Sequence, residues 1–158
     1  MQKITPFLWF DKEAEQAANH YVSIFKNSKI TATERYPKGG PGAPGDVMTV
    51  EFELDGQKFT ALNGGPQFKF DEAISFVIDC KDQAEVDYYW ERLLAGGGKQ
   101  SKCGWLKDKF GLAWQVVPRQ LIEFTSGPDK ARNARVFAAM MKMVKLDVAE
   151  LERAARGE

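Results

Sequence analysis

The sequence predicts an α+β protein made of two βαβββ modules in tandem, followed by a C-terminal helical extension. Three observations lead to this prediction. Strand and helix patterns occur twice in the same order, about 70 residues apart; a Gly- and Pro-rich break at 63–66 separates the copies; and helical periodicity returns near the C-terminus. Two such modules side by side enclose a cleft between their sheets, with the helices outside. We place module one at 3–63, module two at 73–118 and the extension at 128–158.

Module one opens with a strand and a helix. The apolar and aromatic run 4–10 predicts a buried strand. A helix is predicted over 11–25, with Asp11 as its N-cap. Its apolar residues recur at helical spacing: Ala14, Ala17, Ala18, Tyr21 and Phe25. The single histidine, His20, falls on this helix and away from the cleft.

Three further strands complete module one. Alternating residues predict a strand over 28–36. The loop 37–45 contains too many prolines and glycines for a helix or a central strand. The dipeptide Asp55-Gly56 is a strong turn signal, so a hairpin is predicted with strands 47–54 and 57–62.

Module two repeats this order. An apolar strand is predicted over 73–79, and a helix over 82–94 that ends at three consecutive glycines. A hairpin follows, with strands 99–106 and 111–117 around a turn in which Asp108 is expected to be solvated. The extension is predicted to contain two helices, 128–144 and 147–156. They form either a clasp over the domain or a partner subunit, or a lid over the cleft.

Composition and charge narrow the class of partner. Lys and Arg number 22, as do Asp and Glu, so the basic surplus typical of nucleic-acid and membrane binding is missing. Two cysteines are too few for a disulfide framework, and the start lacks a signal-peptide pattern. No apolar run approaches the roughly 18 residues of a membrane span. We expect a cytoplasmic protein with no nucleic-acid or membrane partner.

Two stretches resemble a known family: VEFELDGQKFTALNGGPQFKF at 50–70 and CGWLKDKFGLAWQVVP at 103–118. With ITPFLWFD at the start and EVDYYWERLLAGGG between them, they resemble the PhnB-like branch of the vicinal oxygen chelate superfamily. That superfamily includes glyoxalase, bleomycin-resistance proteins and extradiol dioxygenases. The resemblance covers residues 3 to about 120. It implies one glyoxalase-like domain, 1–120, commonly in a homodimer; near-zero net charge permits such self-association.

Members of this branch often carry the label 3-demethylubiquinone-9 3-methyltransferase. Nothing in the sequence supports that label, because no strand leads through a Gly-rich turn into a helix, the usual cradle for a nucleotide-like cofactor. The loop 37–45 has the glycines, but a strand follows it. Gln67 stands where relatives often have histidine.

The metal-dependent relatives bind a divalent ion through four cleft-facing His, Glu or Gln side chains, from the first strand and a late strand of each module. The resemblance places the matching positions at Pro6 or Thr5, Leu62 or Asn63, Ser75 or Ala73, and Gln115. Only Gln115 is a conventional ligand, and one amide cannot replace the charge of two carboxylates and two imidazoles. We expect no glyoxalase-type metal and no other cofactor.

The candidate ligand-binding residues are Gln115, Asn63, Ser75, Trp105 and Cys103. Strand alternation turns Gln115 toward the cleft, where its amide bonds either Ser75, Asn63 or the backbone, or a bound ligand. Asn63 is either a turn residue with left-handed backbone or a polar contact at the cleft mouth. Trp105 either fills the core or stacks on a ligand. The thiol of Cys103 is either buried and inert or reactive.

Three functions are open at this point. The aromatic, charge-poor cleft favours a protein that binds a small apolar or aromatic molecule without a glyoxalase-type metal, as in bleomycin resistance. The alternative is an enzyme of the superfamily, a lyase, isomerase or dioxygenase, with an atypical or absent metal. The third is a structural dimer whose cleft is filled by its own side chains. No residue is assigned a catalytic role.

Overall fold

The computed structural model describes the whole chain, Met1–Glu158. Its contacts divide the chain into two compact units, Met1–Phe70 and Asp71–Glu158. The elements of the first unit are β1 (Phe7–Phe10), α1 (Ala14–Ile24), β2 (Lys29–Arg35), β3 (Val47–Leu54) and β4 (Gln57–Asn63). Those of the second unit are β5 (Phe76–Cys80), α2 (Gln83–Leu94), β6 (Lys99–Gln100), β7 (Trp105–Lys107), β8 (Ala113–Pro118), α3 (Arg119–Thr125), α4 (Lys130–Met140) and α5 (Val148–Arg156).

The first unit is a four-stranded sheet with α1 on one face. The strand order is β1-β4-β3-β2, in which β1 runs parallel to β4 and the other pairs are antiparallel. Alternate side chains of the strands point toward α1 and are buried with its apolar face. Tyr21 of α1 stacks on Phe52 of β3, with ring centroids 6.3 Å apart. The helical spacing seen in the sequence therefore marks the core of this unit.

The β3–β4 hairpin turns where the sequence predicts. Asp55 (φ 49°) and Gly56 (φ 81°) both lie in the left-handed region that a two-residue hairpin turn requires. The start of the unit differs from the prediction. β1 begins at Phe7, and α1 begins at Ala14, so Asp11 is not its N-cap.

The second unit repeats the first sheet topology. Its strand order is β5-β8-β7-β6, with β5 parallel to β8. Helix α2 begins after Asp82, whose side chain accepts the N–H of Glu85 as an N-cap. The helix contacts β7 and β8 and buries three side chains along one face: Val86, Trp90 and Leu93.

The predicted strand 99–106 is interrupted. β6 ends at Gln100 and β7 starts at Trp105, and a turn at 101–104 lies between them. Cys103 (φ 59°) and Gly104 (φ 83°) both have left-handed backbone in this turn, a conformation that costs a non-glycine residue roughly 1–2 kcal/mol. A Cβ on Gly104 would lie 2.9 Å from both Leu146 Cδ1 and the carbonyl oxygen of Val116. Only glycine fits at position 104.

Asp108 is buried, and the expectation that it is solvated is wrong. Its side chain lies in the β7–β8 turn, and the residue is 3% exposed. Oδ1 accepts the backbone N–H groups of Phe110 (2.9 Å) and Leu112 (3.1 Å), and Oδ2 accepts the indole N–H of Trp114 (2.9 Å). Hydrogen bonds to a charged acceptor stabilise by roughly 1.5–3 kcal/mol each, so this carboxylate organises the hairpin.

Residues 128–158 contain the two predicted helices, α4 and α5, and an additional helix, α3, precedes them; all three helices belong to the C-terminal extension. α3 follows β8 directly, and α4 and α5 are shorter than the predicted 128–144 and 147–156. The extension packs into the second unit through a small core of its own: Val117, Leu121, Val136, Leu146, Leu151 and Ala154. No helix of the chain is both long and apolar enough to span a membrane.

Candidate functional site

Three side chains form a row across the second sheet. Val77 of β5 pairs in register with Gln115 of β8, which pairs in register with Trp105 of β7. Register partners project from the same face, whereas Trp114 and Val116 alternate to the opposite, buried face. Val77 is 60% exposed, and the other two are half-buried. We call Val77, Gln115 and Trp105 the Gln115 row.

Gln115 and Ser75 are brought together. The Nε2 of Gln115 donates to Ser75 Oγ over 2.9 Å, one of the internal bonds anticipated for this amide. The Gln115 Oε1 accepts no hydrogen bond within the protein. The indole N–H of Trp105 donates none. The row therefore offers a ligand one acceptor, the Gln115 Oε1, and one donor, the Trp105 indole N–H. The apolar surfaces of Val77 and Trp105 lie on either side of Gln115.

Cys103 does not lie in a strand, although the predicted strand 99–106 includes it. It occupies the 101–104 turn, where its N–H donates to the carbonyl of Met143 in the extension (2.9 Å). Its Sγ lies 3.8 Å from Met141 Sδ. The structure thus joins Cys103 to the extension. The other thiol, Cys80, has a pKa raised to about 12, mainly by burial and then by the nearby Glu85 and Asp79. Cys80 is therefore protonated at neutral pH and is no nucleophile.

Asn63 caps helix α1 from the sheet. Its Oδ1 accepts the N–H of Ala14 (2.8 Å), and its Nδ2 donates to the carbonyl of Val47 (3.1 Å). The hydroxyl of Tyr36 donates to the backbone carbonyl of Asn63. Asn63 has ordinary strand backbone, so the left-handed turn role is wrong. Both ends of its amide are engaged with the main chain of the first unit.

A cavity of about 800 Å³ opens beside the start of α1. Its charged side chains are four carboxylates and one ammonium group: Asp11, Glu13, Glu15, Asp46 and Lys12. Asn63, Tyr36 and the segment 64–67 also line it. Gly64 is required here, because a Cβ would lie 2.4 Å from the indole of Trp9. The glycines after Asn63 were the sequence signal for this close approach.

The residues at the four family positions do not fit a glyoxalase-type metal. In the second unit, Ser75 and Gln115 bond each other. In the first unit, Pro6 and Leu62 have no donor side chain, and Asn63 is committed to the backbone. No group of three or more His, Cys, Asp or Glu side chains lies close enough to hold an ion. Neutral amide and hydroxyl groups do not replace the carboxylate and imidazole ligands of such sites.

Comparison with known proteins identifies the family. Residues 2–117 match the family model described as 3-demethylubiquinone-9 3-methyltransferase. The chain belongs to this family. It is the PhnB-like branch of the glyoxalase/bleomycin resistance superfamily, as the resemblance in the hairpins predicted. The match ends at Val117, so α3, α4 and α5 lie beyond it.

Three solved structures are similar to this chain. The PhnB protein from Bacillus cereus, described as a 3-demethylubiquinone-9 3-methyltransferase, is 35% identical, with a TM-score of 0.68 over 74% of this chain and 99% of that one. Protein PA1353 from Pseudomonas aeruginosa is 18% identical, with a TM-score of 0.62 over 75% and 98%. The fosfomycin resistance protein FosX from Listeria monocytogenes, solved with Mn(II) and sulfate, is 14% identical, with a TM-score of 0.51 over 75% and 91%. The last two show the fold alone.

Among curated proteins, no sequence is significantly similar to this PhnB-like chain. The predicted fold class is confirmed: an α+β protein with a glyoxalase-like fold and additional C-terminal helices.

Proposed function

We propose that this PhnB-like protein binds a small, uncharged, apolar or aromatic molecule at the Gln115 row, without a glyoxalase-type metal. The observation that supports this proposal is the Gln115 Oε1, an acceptor with no partner in the protein, held between Trp105 and Val77. Binding sites of this kind combine apolar and aromatic walls with a few fixed polar groups.

The chemistry of the row favours a neutral ligand with one hydrogen-bond donor. The indole of Trp105 offers a flat surface for an aromatic ring, and Oε1 of Gln115 accepts from a ligand hydroxyl or amide. The row contains no ionised group. On the same face of β5, the carboxylate of Asp79 is already paired with Arg119 at 3.1 Å. A charged ligand would lose its hydration without gaining a free counter-charge. Methyl transfer is not proposed, because no strand enters a helix through a Gly-rich turn.

A screen of uncharged phenols and aromatic amides tests the proposal. Thermal shift identifies binders, and quenching of tryptophan emission gives the dissociation constant of the tightest one. Replacing Gln115 with Leu keeps the volume and removes the acceptor, so we expect about tenfold weaker binding. Gln57→Leu, an exposed substitution in the β3–β4 hairpin, is the matched control. Equal affinity in both variants would contradict a role for Gln115.

The alternative, a superfamily enzyme with an atypical metal, makes a different prediction. Protein purified without added metal is expected to contain only substoichiometric Ni, Zn, Fe and Mn by ICP-MS. A stoichiometric metal ion that raises the melting temperature and supports turnover of a screened compound would favour the enzyme.

We further propose that the chain forms a homodimer. The support is the family resemblance, together with equal numbers of acidic and basic residues, which leaves little repulsion between copies. Phe7, on the edge strand of the first sheet, is an exposed aromatic residue available for contact. Light scattering at micromolar concentration tests this, and a monomer mass would refute it.

A further inference from the structure

Residues 143–148 tie the C-terminal extension to the turn before Trp105. The carbonyl oxygens of Met143 and Val144 accept the N–H groups of Cys103 (2.9 Å) and Gly104 (2.8 Å). Those two donors belong to the two left-handed residues of the 101–104 turn. We call residues 143–148 the strap. One end of the strap therefore accepts two N–H groups of this turn that do not bond the sheet.

The other end of the strap is tied to helix α2. Gln83, the first residue of that helix, donates from Nε2 to the carbonyl of Leu146 (3.1 Å) and accepts the N–H of Val148 at Oε1 (2.7 Å). Between the two ends, Lys145 pairs with Asp87 of α2 at 2.7 Å. A single glutamine side chain thus fixes two main-chain groups of the strap.

The backbone of Trp105 is held by the turn. Its N–H donates to the carbonyl of Lys102 (3.1 Å), and its carbonyl accepts the N–H of Ser101 (2.8 Å). The carbonyl of Gly104 accepts the N–H of Val116, the residue after Gln115 (2.8 Å). These hydrogen bonds connect the turn to the backbone of Trp105 and to the residue after Gln115.

The apolar contacts of the extension involve the same turn and the same strand as its hydrogen bonds. Leu146 of the strap is fully buried and lies against Gly104. The core of the extension also includes Val117, which lies two residues after Gln115 on the same face of β8. The extension thus borders the Gln115 row and contacts the turn that carries its indole.

We propose that the strap is a positioning segment: by holding the 101–104 turn, it sets where the Trp105 indole lies relative to Gln115. Gln83 is then a positioning residue that acts through the strap, and it does not belong to the row. The effect on ligand affinity rests on the function proposed above; the effect on Trp105 does not. The strap lies beyond the family match at 2–117, so the positioning of Trp105 that we propose depends on the C-terminal extension and not on the matched region alone.

Fluorine NMR tests the positioning without any ligand. Labelling with 5-fluorotryptophan gives four resonances, one per tryptophan, and Trp105→Phe assigns the one of interest. Gln83→Ala, which unties the far end of the strap, is expected to shift or broaden the Trp105 resonance. The resonance of Trp9, in the first unit, should stay in place. Gln120→Ala is the matched control, because this amide is also in the second unit and bonds a backbone carbonyl, that of Lys81, outside the strap.

An unchanged Trp105 resonance in Gln83→Ala would overturn the proposal. Should that variant fail to fold, Lys145→Met removes only the half-exposed ion pair with Asp87 and gives a milder loosening for the same comparison. An unchanged Trp105 resonance in that folded variant would overturn the proposal equally.

A binding measurement then separates the two proposals. With the tightest phenol or amide from the screen, Gln83→Ala is expected to weaken binding by about two- to thirtyfold, the span of coupling through contacts of this kind. If no compound binds the row, the proposed function fails while the fluorine shift still decides the positioning. If a compound binds and both its affinity and the Trp105 resonance are unchanged in Gln83→Ala, the positioning fails and the function stands.

Discussion

The two units share a topology but hold the first turn of their helix in opposite ways. α1 has no side-chain cap of its own; Asn63, at the end of β4, supplies an oxygen to Ala14, and the helix start opens onto a cavity of about 800 Å³. α2 is capped by the adjacent Asp82, and Gln83 fixes the strap against its start. The two units have the same order of elements, but the first turn of the helix is capped by a residue distant in sequence in the first unit and by the adjacent residue in the second.

Their closing hairpins differ in the same manner. The first closes through Asp55 and Gly56, whose left-handed backbone makes the turn by itself. The second closes through a longer turn organised by the buried carboxylate of Asp108. The first hairpin depends on backbone conformation, and the second depends on a polar group that must stay satisfied in the interior.

The largest expected effect comes from Asp108→Ala. Three N–H donors lose a charged acceptor in a buried site, so we expect a loss of about 3–5 kcal/mol in the free energy of unfolding. Asp55→Ala, the matched change in the first hairpin, should cost about 1 kcal/mol or less, for backbone preference alone. Urea unfolding followed by circular dichroism measures both. Equal losses would show that the two hairpins are stabilised alike.

Gly104→Ala is expected to rank second. Position 104 combines φ of 83° with a Cβ that would lie 2.9 Å from Leu146 and from the Val116 carbonyl, so a loss of about 2–4 kcal/mol is expected. Gly45→Ala in the first unit is the control, since it has φ of 89° and no atom within 4 Å of the new Cβ. Its cost should be about 1 kcal/mol. Thermal unfolding compares the two, and a similar loss in both would assign the effect to backbone strain alone.

Removing the long-range cap should cost somewhat more than removing the local one. Asn63→Ala loses the bonds to Ala14 and Val47, and we expect about 2 kcal/mol against about 1 kcal/mol for Asp82→Ala. Asn63→Asp retains the acceptor for Ala14 and should recover part of the loss. A fully neutral Asn63→Ala in urea unfolding would mean that α1 is capped from elsewhere.

The smallest effect concerns the ion pair of the strap. The pKa of Asp87 lies below its usual range because its carboxylate accepts hydrogen bonds from Lys145 and then from Gln83. Since the folded-state pKa is the lower one, the pair stabilises the fold above the ordinary pKa of Asp, near 3.9. That contribution is lost as the pH falls through the lowered value. The groups are exposed, so we expect below about 0.5 kcal/mol.

The check on this ion pair is the difference in urea midpoint between the wild type and Asp87→Asn, followed from pH 6 down to pH 2. The difference should vanish at the acid end. A constant difference in urea midpoint across that range would show that the ionised carboxylate of Asp87 does not stabilise the fold.

Features with local signals were predictable. The Asp55-Gly56 turn, the end of the second helix at Leu94 and the two repeated orders were visible in the sequence and appear in the structure. The orientation of Gln115 follows from strand alternation, and its bond to Ser75 is one of the alternatives that the sequence predicts. Each of these depends on residues close in sequence or on the period of a strand.

Features that depend on distant partners were not predictable. The start of α1 was placed three residues early because its cap, Asn63, lies 49 residues away from Ala14. The strand 99–106 was predicted unbroken because the groups that hold its turn are in the strap. Asp108 was expected in solvent because its donors include the Trp114 indole, which only the folded hairpin brings near. α3 went unrecognised because it starts immediately after the proline that ends β8.

The cap supplied by Asn63 also sets an order of events during synthesis. α1 has 11 residues, too few to persist as an isolated helix in water. As the chain leaves the ribosome, Ala14 emerges long before Asn63, so the first turn of α1 stays open until β4 has paired beside β1. Helix formation and strand pairing in the first unit are therefore completed together. α2, with 12 residues, is also marginal as an isolated helix, but its cap, Asp82, directly precedes it, so its first turn does not depend on a distant strand.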